Sequence, residues 1–119
     1  MTKTLTQSDL RQFTGTEQWY RHGLVRSVLF TDGAKHVADA GEAYWLLDEI
    51  ALAQRFNKVL AAEPFQVWKL AVTGTAAVLI CEDGNGNTVS RKTIAFTDFT
   101  LPEITLWFTD NTILLPSEY

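Results

Sequence analysis

The sequence is poor in the residues that form disulfides and metal sites. It contains one cysteine, Cys81, and two histidines, His22 and His36, among 119 residues. A single cysteine excludes an intramolecular disulfide, and the three side chains lack the spacing of a structural zinc site. No stretch reaches the roughly 18 consecutive apolar residues of a membrane span. Residues 1–13 also lack the apolar run of a signal peptide. We therefore expect a cytoplasmic protein without a membrane contact.

Recognisable reaction motifs are also missing. The sequence has no HExxH, CxxC, P-loop, G-x-S-x-G or G-x-G-x-x-G pattern. Cys81 ends the apolar run of residues 76–81, where cysteine usually acts as a small apolar side chain. Residues 83–87 begin like a calcium loop, but Thr88 and Ile94 replace the required Gly and Glu. This segment predicts a glycine-rich hairpin turn. We expect no cofactor, no metal and no enzymatic activity.

Basic side chains become rare toward the C-terminus. Residues 1–60 hold seven basic and seven acidic side chains, whereas residues 61–119 hold three basic and seven acidic ones. The second part therefore carries the whole net charge of −4. Lys92 is the last cation, and Asp98, Glu103, Asp110 and Glu118 follow it. An acidic face of this kind repels the backbone of nucleic acids and attracts basic partners.

A run of short strands occupies the second part of the chain. The composition, 46% apolar and 20% charged, is typical of a soluble protein, and the length predicts one domain, residues 1–119. Apolar and β-branched runs between turn residues predict five strands, at 65–72, 77–82, 88–96, 104–109 and 112–115. The nearly continuous apolar run at 77–82 predicts a central strand covered on both faces. Pro116, after the last strand, suits an edge.

The first part of the chain predicts one more strand and two helices. Thr6 and Asp9 have capping-box spacing, which predicts a short helix ending near Gly15. A strand is expected at 24–30, with residues 31–33 as a turn. Residues 34–38 then form either a returning strand or the start of a helix. Asp39 and Glu42 mark the start of the main helix, residues 40–56. The predicted fold is α+β: an antiparallel meander of about five to six strands with this helix on one face.

The main helix has two apolar faces. A domain of this size usually needs one buried face per surface helix. One face is broad and contains Ala43, Leu46, Leu47, Ile50 and Ala53. The second is a stripe of Trp45, Leu52 and Phe56. Either the N-terminal segment covers this stripe with Leu10, Phe13 and Trp19, or the stripe contacts a partner. Trp and Phe anchors are typical of interface hot spots.

Two other groups of residues allow alternative functions. Trp19, Tyr20 and Arg21 could stack on single-stranded nucleic acid. We favour Trp19 and Tyr20 packing inward while Arg21 and His22 face water, so no nucleic-acid partner is expected. Phe-Thr-Asp occurs three times and ends in Asp32, Asp98 and Asp110. If these carboxylates converge at the strand ends, they could perform acid–base chemistry or bind a small ligand.

Several segments resemble a known family. They are FTGTEQWYRH, FTDGAKHVADAGEAYWLLDEIA, FQVWKLAV, CEDGNGN, TDFTLPEITLWFTD and LLPSEY. They resemble short bacterial proteins assigned to a domain of unknown function, found in genomes, plasmids and phages. The resemblance covers nearly the whole chain and implies a bacterial protein that can travel on mobile elements. Small acidic proteins of such elements often inhibit host defence complexes, as anti-CRISPR proteins do.

These observations predict a small non-enzymatic protein that binds another protein. The expected interface consists of Trp45, Leu52 and Phe56 on the helix, with Glu103 and Asp110 from the acidic C-terminal part. The sharpest form of this prediction is an inhibitor of a host defence complex. The alternative is an enzyme or small-ligand binder that uses Asp32, Asp98 and Asp110. A monomer or a homodimer is compatible with either function.

Overall fold

A computed structural model describes residues 5–119 as an α+β domain; residues 1–4 of the predicted domain lie outside this description. The helices are α1 (Gln7–Leu10), α2 (Asp32–Ala40), α3 (Tyr44–Phe56) and α4 (Lys58–Ala61), with a final 3-10 turn at Pro116–Glu118. The strands are β1 (Trp19–Arg21), β2 (Leu29–Thr31), β3 (Phe65–Thr73), β4 (Ala76–Asp83), β5 (Thr88–Ile94), β6 (Glu103–Thr109) and β7 (Thr112–Leu114).

One mixed sheet contains all seven described strands. Its order is β1-β2-β7-β6-β3-β4-β5, and only β2 and β7 pair in parallel. The α+β prediction and the five strands after residue 65 are confirmed. The antiparallel meander of five to six strands is wrong in its strand number and in the β2–β7 pair. β7 lies between β2 and β6 and is therefore an internal strand. The prediction that Pro116 follows an edge strand is wrong for this reason. The described edges are β1 and β5.

Residues 31–33 begin a helix instead of turning a hairpin. The Thr31 side chain accepts a hydrogen bond from the Ala34 amide at 3.2 Å, which makes Thr31 the N-cap of α2. An N-cap satisfies an amide that the first helical turn leaves without a partner. The second of the two alternatives for residues 34–38, a helix start, is therefore confirmed. The strand expected at 24–30 is reduced to three residues.

The main helix begins at Tyr44 instead of residue 40. Gly41 ends α2, and Glu42 adopts a positive φ of 51°. Asp39 and Glu42, expected to mark the start of the main helix, therefore flank the junction between α2 and α3. The Gly41 position is crowded, since an added Cβ would lie 2.7 Å from the Phe99 ring. The predicted broad face is confirmed for Ala43, Leu46, Leu47 and Ile50, which are buried, whereas Ala53 is half-buried.

His22 is buried, which corrects the expectation that it faces water. Its Nδ1 accepts hydrogen bonds from the amides of Leu24 (3.1 Å) and Val25 (3.0 Å). These two donors assign the proton of the neutral ring to Nε2, which lies 2.8 Å from the Asp48 carboxylate. His22 thus ties the turn before β2 to α3. Trp19, expected inside, is 58% exposed.

Among residues 5–119, the main helix α3 packs on one face of the sheet. On β4, Ala77, Leu79 and Cys81 are buried on this face, while Val78 and Ile80 on the other face stay half-buried. The prediction that β4 is covered on both faces is therefore wrong. On the covered face, Gln66 exchanges two side-chain hydrogen bonds with Gln54, at 2.7 and 2.9 Å. The buried Gln66 amide and the half-buried Gln54 amide therefore tie α3 to β3, and each side-chain oxygen and nitrogen of the pair has a hydrogen-bond partner.

The C-terminal turn holds the start of α2. The Glu118 carboxylate accepts hydrogen bonds from the Thr31 hydroxyl (2.6 Å), the Gly33 amide (3.0 Å) and the Leu115 amide (2.9 Å). Gly33 permits this approach, since an added Cβ would lie 2.4 Å from a Glu118 carboxylate oxygen. A carboxylate at a helix N-terminus also interacts favourably with the helix dipole. Glu118 is therefore a structural cap and does not extend the acidic surface predicted for this region.

Replacing this cap should destabilise the protein. We expect Glu118→Ala to lower the free energy of unfolding by about 1–3 kcal/mol, because the α2 donors lose their charged acceptor. Urea unfolding followed by circular dichroism measures the change. The matched control is Ser117→Ala, an exposed position in the same turn, which should change stability by less than about 0.5 kcal/mol. Equal stability of Glu118→Ala and the unmodified protein would contradict this role.

Candidate protein interface

Helix α3 lies beside the edge strand β5. The Glu49 carboxylate contacts the Lys92 ammonium at 2.6 Å, which joins the middle of the helix to the middle of the strand. The next helix, α4, contacts β5 again. Trp45, Leu52 and Phe56 are spaced by seven and four residues around Glu49, so they follow the same side of α3. The second apolar stripe of the helix therefore faces the edge of the sheet.

The three N-terminal residues expected to cover this stripe, Leu10, Phe13 and Trp19, lie elsewhere. Phe13 packs on α2, with its ring centroid 5.2 Å from that of His36, and Leu10 lies beside Ile104 and Leu115. Trp19 belongs to β1, at the opposite edge of the sheet. Within α3, Trp45 and Leu52 are half-buried against the core, whereas Phe56 is 76% exposed.

A groove of about 500 Å³ separates the start of α3 from the end of β5. It is lined by Trp45, Glu49 and residues 92–98. Phe96 is 72% exposed within this lining. We call the set Trp45, Glu49, Leu52, Phe56, Lys92 and Phe96 the β5-side surface. It combines half-buried and exposed aromatic rings around one ion pair. Sequence reasoning missed Phe96, because an aromatic residue at a strand end resembles core material until the strand order is known.

The other two predicted interface residues lie elsewhere. Glu103 begins β6 and points away from the helices, because its neighbours Ile104 and Leu106 point inward. Asp110 lies in the β6–β7 turn with a positive φ of 52°. Both are exposed. The five residues therefore do not form a single surface, and only those of α3 belong to the β5-side surface.

The three aspartates of the Phe-Thr-Asp triplets do not converge. Asp32 lines a cleft beside α2, Asp98 lines the groove beside Trp45, and Asp110 lies near Trp19 and Tyr119. The three carboxylates thus line three different clefts of residues 5–119. The alternative of a catalytic or ligand-binding site built on these three carboxylates has no geometric basis here.

The cleft that contains Asp32 is lined mainly by polar and charged side chains. It measures about 650 Å³ and lies between residues 12–17 and α2. The Asp32 carboxylate accepts hydrogen bonds from the Glu17 amide and the Tyr20 hydroxyl, both at 3.0 Å. The Glu17 amide bond lowers the pKa of Asp32, and the bond to Asp32 raises the pKa of Tyr20. These bonds attach β1 and its preceding loop to α2.

Two other charged side chains of this cleft, Lys35 and Asp39, are engaged with each other. Lys35 contacts Asp39 at 2.7 Å, and the Tyr44 hydroxyl donates to the same carboxylate. His36 Nε2 is buried 3.8 Å from the Asp9 carboxylate, beyond hydrogen-bond distance. No group of three metal-ligating side chains occurs among the described residues. The cleft is best explained as the polar contact that holds the N-terminal segment on α2.

Trp19, Tyr20 and Arg21 do not present one surface for stacking bases. Side chains alternate along a strand, so Tyr20 points away from its two neighbours. The Tyr20 ring packs on Phe30 at a centroid distance of 5.5 Å, and its hydroxyl reaches Asp32. The Arg21 guanidinium donates to the Arg26 carbonyl. The expectation of no nucleic-acid partner stays a prediction, and this geometry agrees with it.

Cys81 and Asp83 have the structural roles that the sequence predicts. Cys81 is fully buried, and burial raises the pKa of its thiol to about 12, so it is a poor nucleophile at neutral pH. Asp83 accepts hydrogen bonds from the amides of Asn85 (2.8 Å) and Asn87 (2.9 Å). The carboxylate therefore closes its own turn, as expected for a glycine-rich hairpin.

The chain belongs to a family of unknown function (DUF6876), whose family model matches residues 4–119. The resemblance to a domain of unknown function over nearly the whole chain is thereby confirmed. Neither a curated protein nor a solved structure matches the chain. The helices between residues 5 and 119 are all too short or too polar to cross a membrane.

The buried thiol gives a direct test of the β4 environment. In the folded protein, Cys81 should react with Ellman's reagent at pH 8 at least about 100-fold more slowly than in urea, because its raised pKa suppresses the thiolate. Absorbance at 412 nm follows the reaction. The urea-unfolded chain, which contains the same single thiol, is the control. Comparable rates in the two states would show that β4 is open at this position.

Proposed function

We propose that this member of a family of unknown function is a non-enzymatic protein-binding domain and that its partner docks on the β5-side surface. The observation that carries the proposal is the position of the α3 stripe beside β5, whose outer side pairs with no other strand of residues 5–119. Phe56, the last residue of α3, and Phe96, two residues after β5, are 76% and 72% exposed. Large exposed aromatic side chains near a common edge are typical of interaction sites.

The β5-side surface has the parts of a binding hot spot. Trp45 is half-buried in the groove, so its ring is held in place before a partner arrives. A pre-positioned aromatic anchor lowers the entropic cost of association. The Glu49–Lys92 ion pair is partly exposed, and such pairs contribute only about 0–1 kcal/mol. It can therefore open to meet polar groups of a partner at little cost.

Inhibition of a host defence complex is the narrower form of this proposal. It is supported by the small size of the chain, its net charge of −4 and the family resemblance. Cytoplasmic location and bacterial, mobile-element origin belong to the same narrower proposal. The contacts of the β5-side surface support protein binding in general, and the identity of the captured partner tests the narrower form.

Removing the two exposed rings should abolish partner binding without unfolding the domain. We expect the double variant Phe56→Ser/Phe96→Ser to lose its partner, because hot-spot truncation typically costs 2 kcal/mol or more, roughly 30-fold in affinity. The tagged protein is used to capture partners from a bacterial extract. Each candidate is then purified and its affinity for the domain is measured by isothermal titration calorimetry.

Trp19→Ser provides the matched control. It also removes a large exposed ring, 58% exposed, but from β1 at the opposite edge of the sheet. Its affinity for the partner should stay within about twofold of the unmodified protein, as expected outside a hot spot. Thermal unfolding confirms that all variants are folded. Equal binding by the double variant and the unmodified protein would remove the β5-side surface as the docking site.

A further inference from the structure

We infer that the partner binds by adding an extended segment to β5 as an eighth strand, with a carboxylate beside Arg91 and an apolar side chain in the groove. This inference rests on the proposed function and specifies the partner's chemistry. Strand addition to a sheet edge obtains affinity from main-chain hydrogen bonds and specificity from alternate side chains. β5 offers both requirements of this binding mode: main-chain groups along an edge without a strand partner in residues 5–119, and different environments for alternate side chains.

The first element is a long open edge. β5 spans seven residues, Thr88–Ile94, and pairs with β4 on one side only. Within residues 5–119 no strand or loop pairs with its other side. Alternate backbone amide and carbonyl groups therefore point outward without a protein partner. The opposite edge, β1, has three residues and offers a much shorter template.

The second element is the contrast between the two faces of β5. Lys92 opposes Leu79 and points toward the helices, where it contacts Glu49. Arg91 opposes Ile80 and points to the uncovered face of the sheet. Arg91 is exposed and forms no ion pair with a carboxylate of the described chain. An added strand with an acidic side chain beside Arg91 would gain a cross-strand ion pair.

Neighbouring positions of the added strand point to the helix side. There they meet the groove between Trp45 and Phe96, whose aromatic rings suit an apolar side chain. The segment that fits the edge therefore alternates acidic and apolar residues. The net charge of −4 makes the chain as a whole attract basic partners. The β5 edge attracts an acidic segment instead, because β5 holds two of the three cations present after residue 60.

A second copy of this chain fits the edge poorly. Arg91 is the central residue of Thr88–Ile94, so a two-fold antiparallel β5–β5 pair would place Arg91 opposite Arg91 of the other copy. Like charges directly opposite each other destabilise a strand pair. The register shift of the β4–β5 pair at Cys81 and Glu82 leaves Ser90–Ile94 as the regularly paired part of the edge for an added strand from either source. The repulsion between the two Arg91 side chains favours a different, acidic segment over self-association.

The test uses a capped hexapeptide that alternates Glu and Val, titrated into the ¹⁵N-labelled protein. We expect a Kd below about 1 mM, and alternate amides of β5 should exchange with deuterium at least about tenfold more slowly at saturation. The same peptide with Lys in place of Glu should bind at least about fivefold more weakly. Arg91→Glu should reverse this preference, while Arg26→Glu, at an exposed position before β2 that forms no ion pair within residues 5–119, is the control and should retain it.

Main-chain pairing is tested by N-methylation of the peptide. Because amides alternate in direction along a strand, methylating one set of three alternate residues should abolish binding, and methylating the other set should preserve it. Equal effects of the two sets, unchanged β5 exchange at saturation, or no binding of the acidic peptide at about 5 mM would overturn strand addition. None of these peptide results would affect the partner-binding experiment with Phe56→Ser/Phe96→Ser. Strand addition can therefore fail while the β5-side surface remains the docking site.

Discussion

The Glu118 carboxylate at the start of α2 is the contact on which the arrangement of this domain depends. It receives hydrogen bonds from Thr31, Gly33 and Leu115, and so it joins the end of the chain to a helix that begins about 85 residues earlier. Tyr119 then packs its ring edge-on against Phe65 and Trp107, at centroid distances of 5.8 and 5.5 Å. The Glu118 bonds thus join β2, α2 and the residue after β7, and the Tyr119 ring connects this turn to β3 and β6.

The same contact explains why local patterns failed in the first part of the chain. Thr31-Asp32-Gly33 suits a hairpin turn as well as a helix cap, and the choice depends on a distant carboxylate that no local window contains. His22 is a similar case, because its burial follows from the amides of Leu24 and Val25 and from Asp48 on α3. The strands after residue 65 were predictable, since each follows its neighbour through a turn with local chemistry, as Asp83 shows.

Strand order decides which predicted site residues meet. Placing β2 beside β7 makes β7 internal and leaves β5 at the edge, next to α3. The Trp45, Leu52 and Phe56 stripe was visible from helical periodicity, but its neighbour Phe96 was not. Glu103 and Asp110 were grouped with the stripe by charge alone, and the sheet separates them from it. Asp32 and Asp83 similarly use their carboxylates for backbone amides, which is a common role for aspartate in turns and at helix starts.

We propose that this protein binds its partner at the β5-side surface. Hydrogen–deuterium exchange of the isolated domain and of its complex with the captured partner tests this claim most directly. Slower exchange should concentrate in Tyr44–Phe56 and Thr88–Ile94 when the partner is bound, with the α2 cleft unchanged. Protection confined to the α2 cleft, or to the face of the sheet around Glu103, would contradict the account.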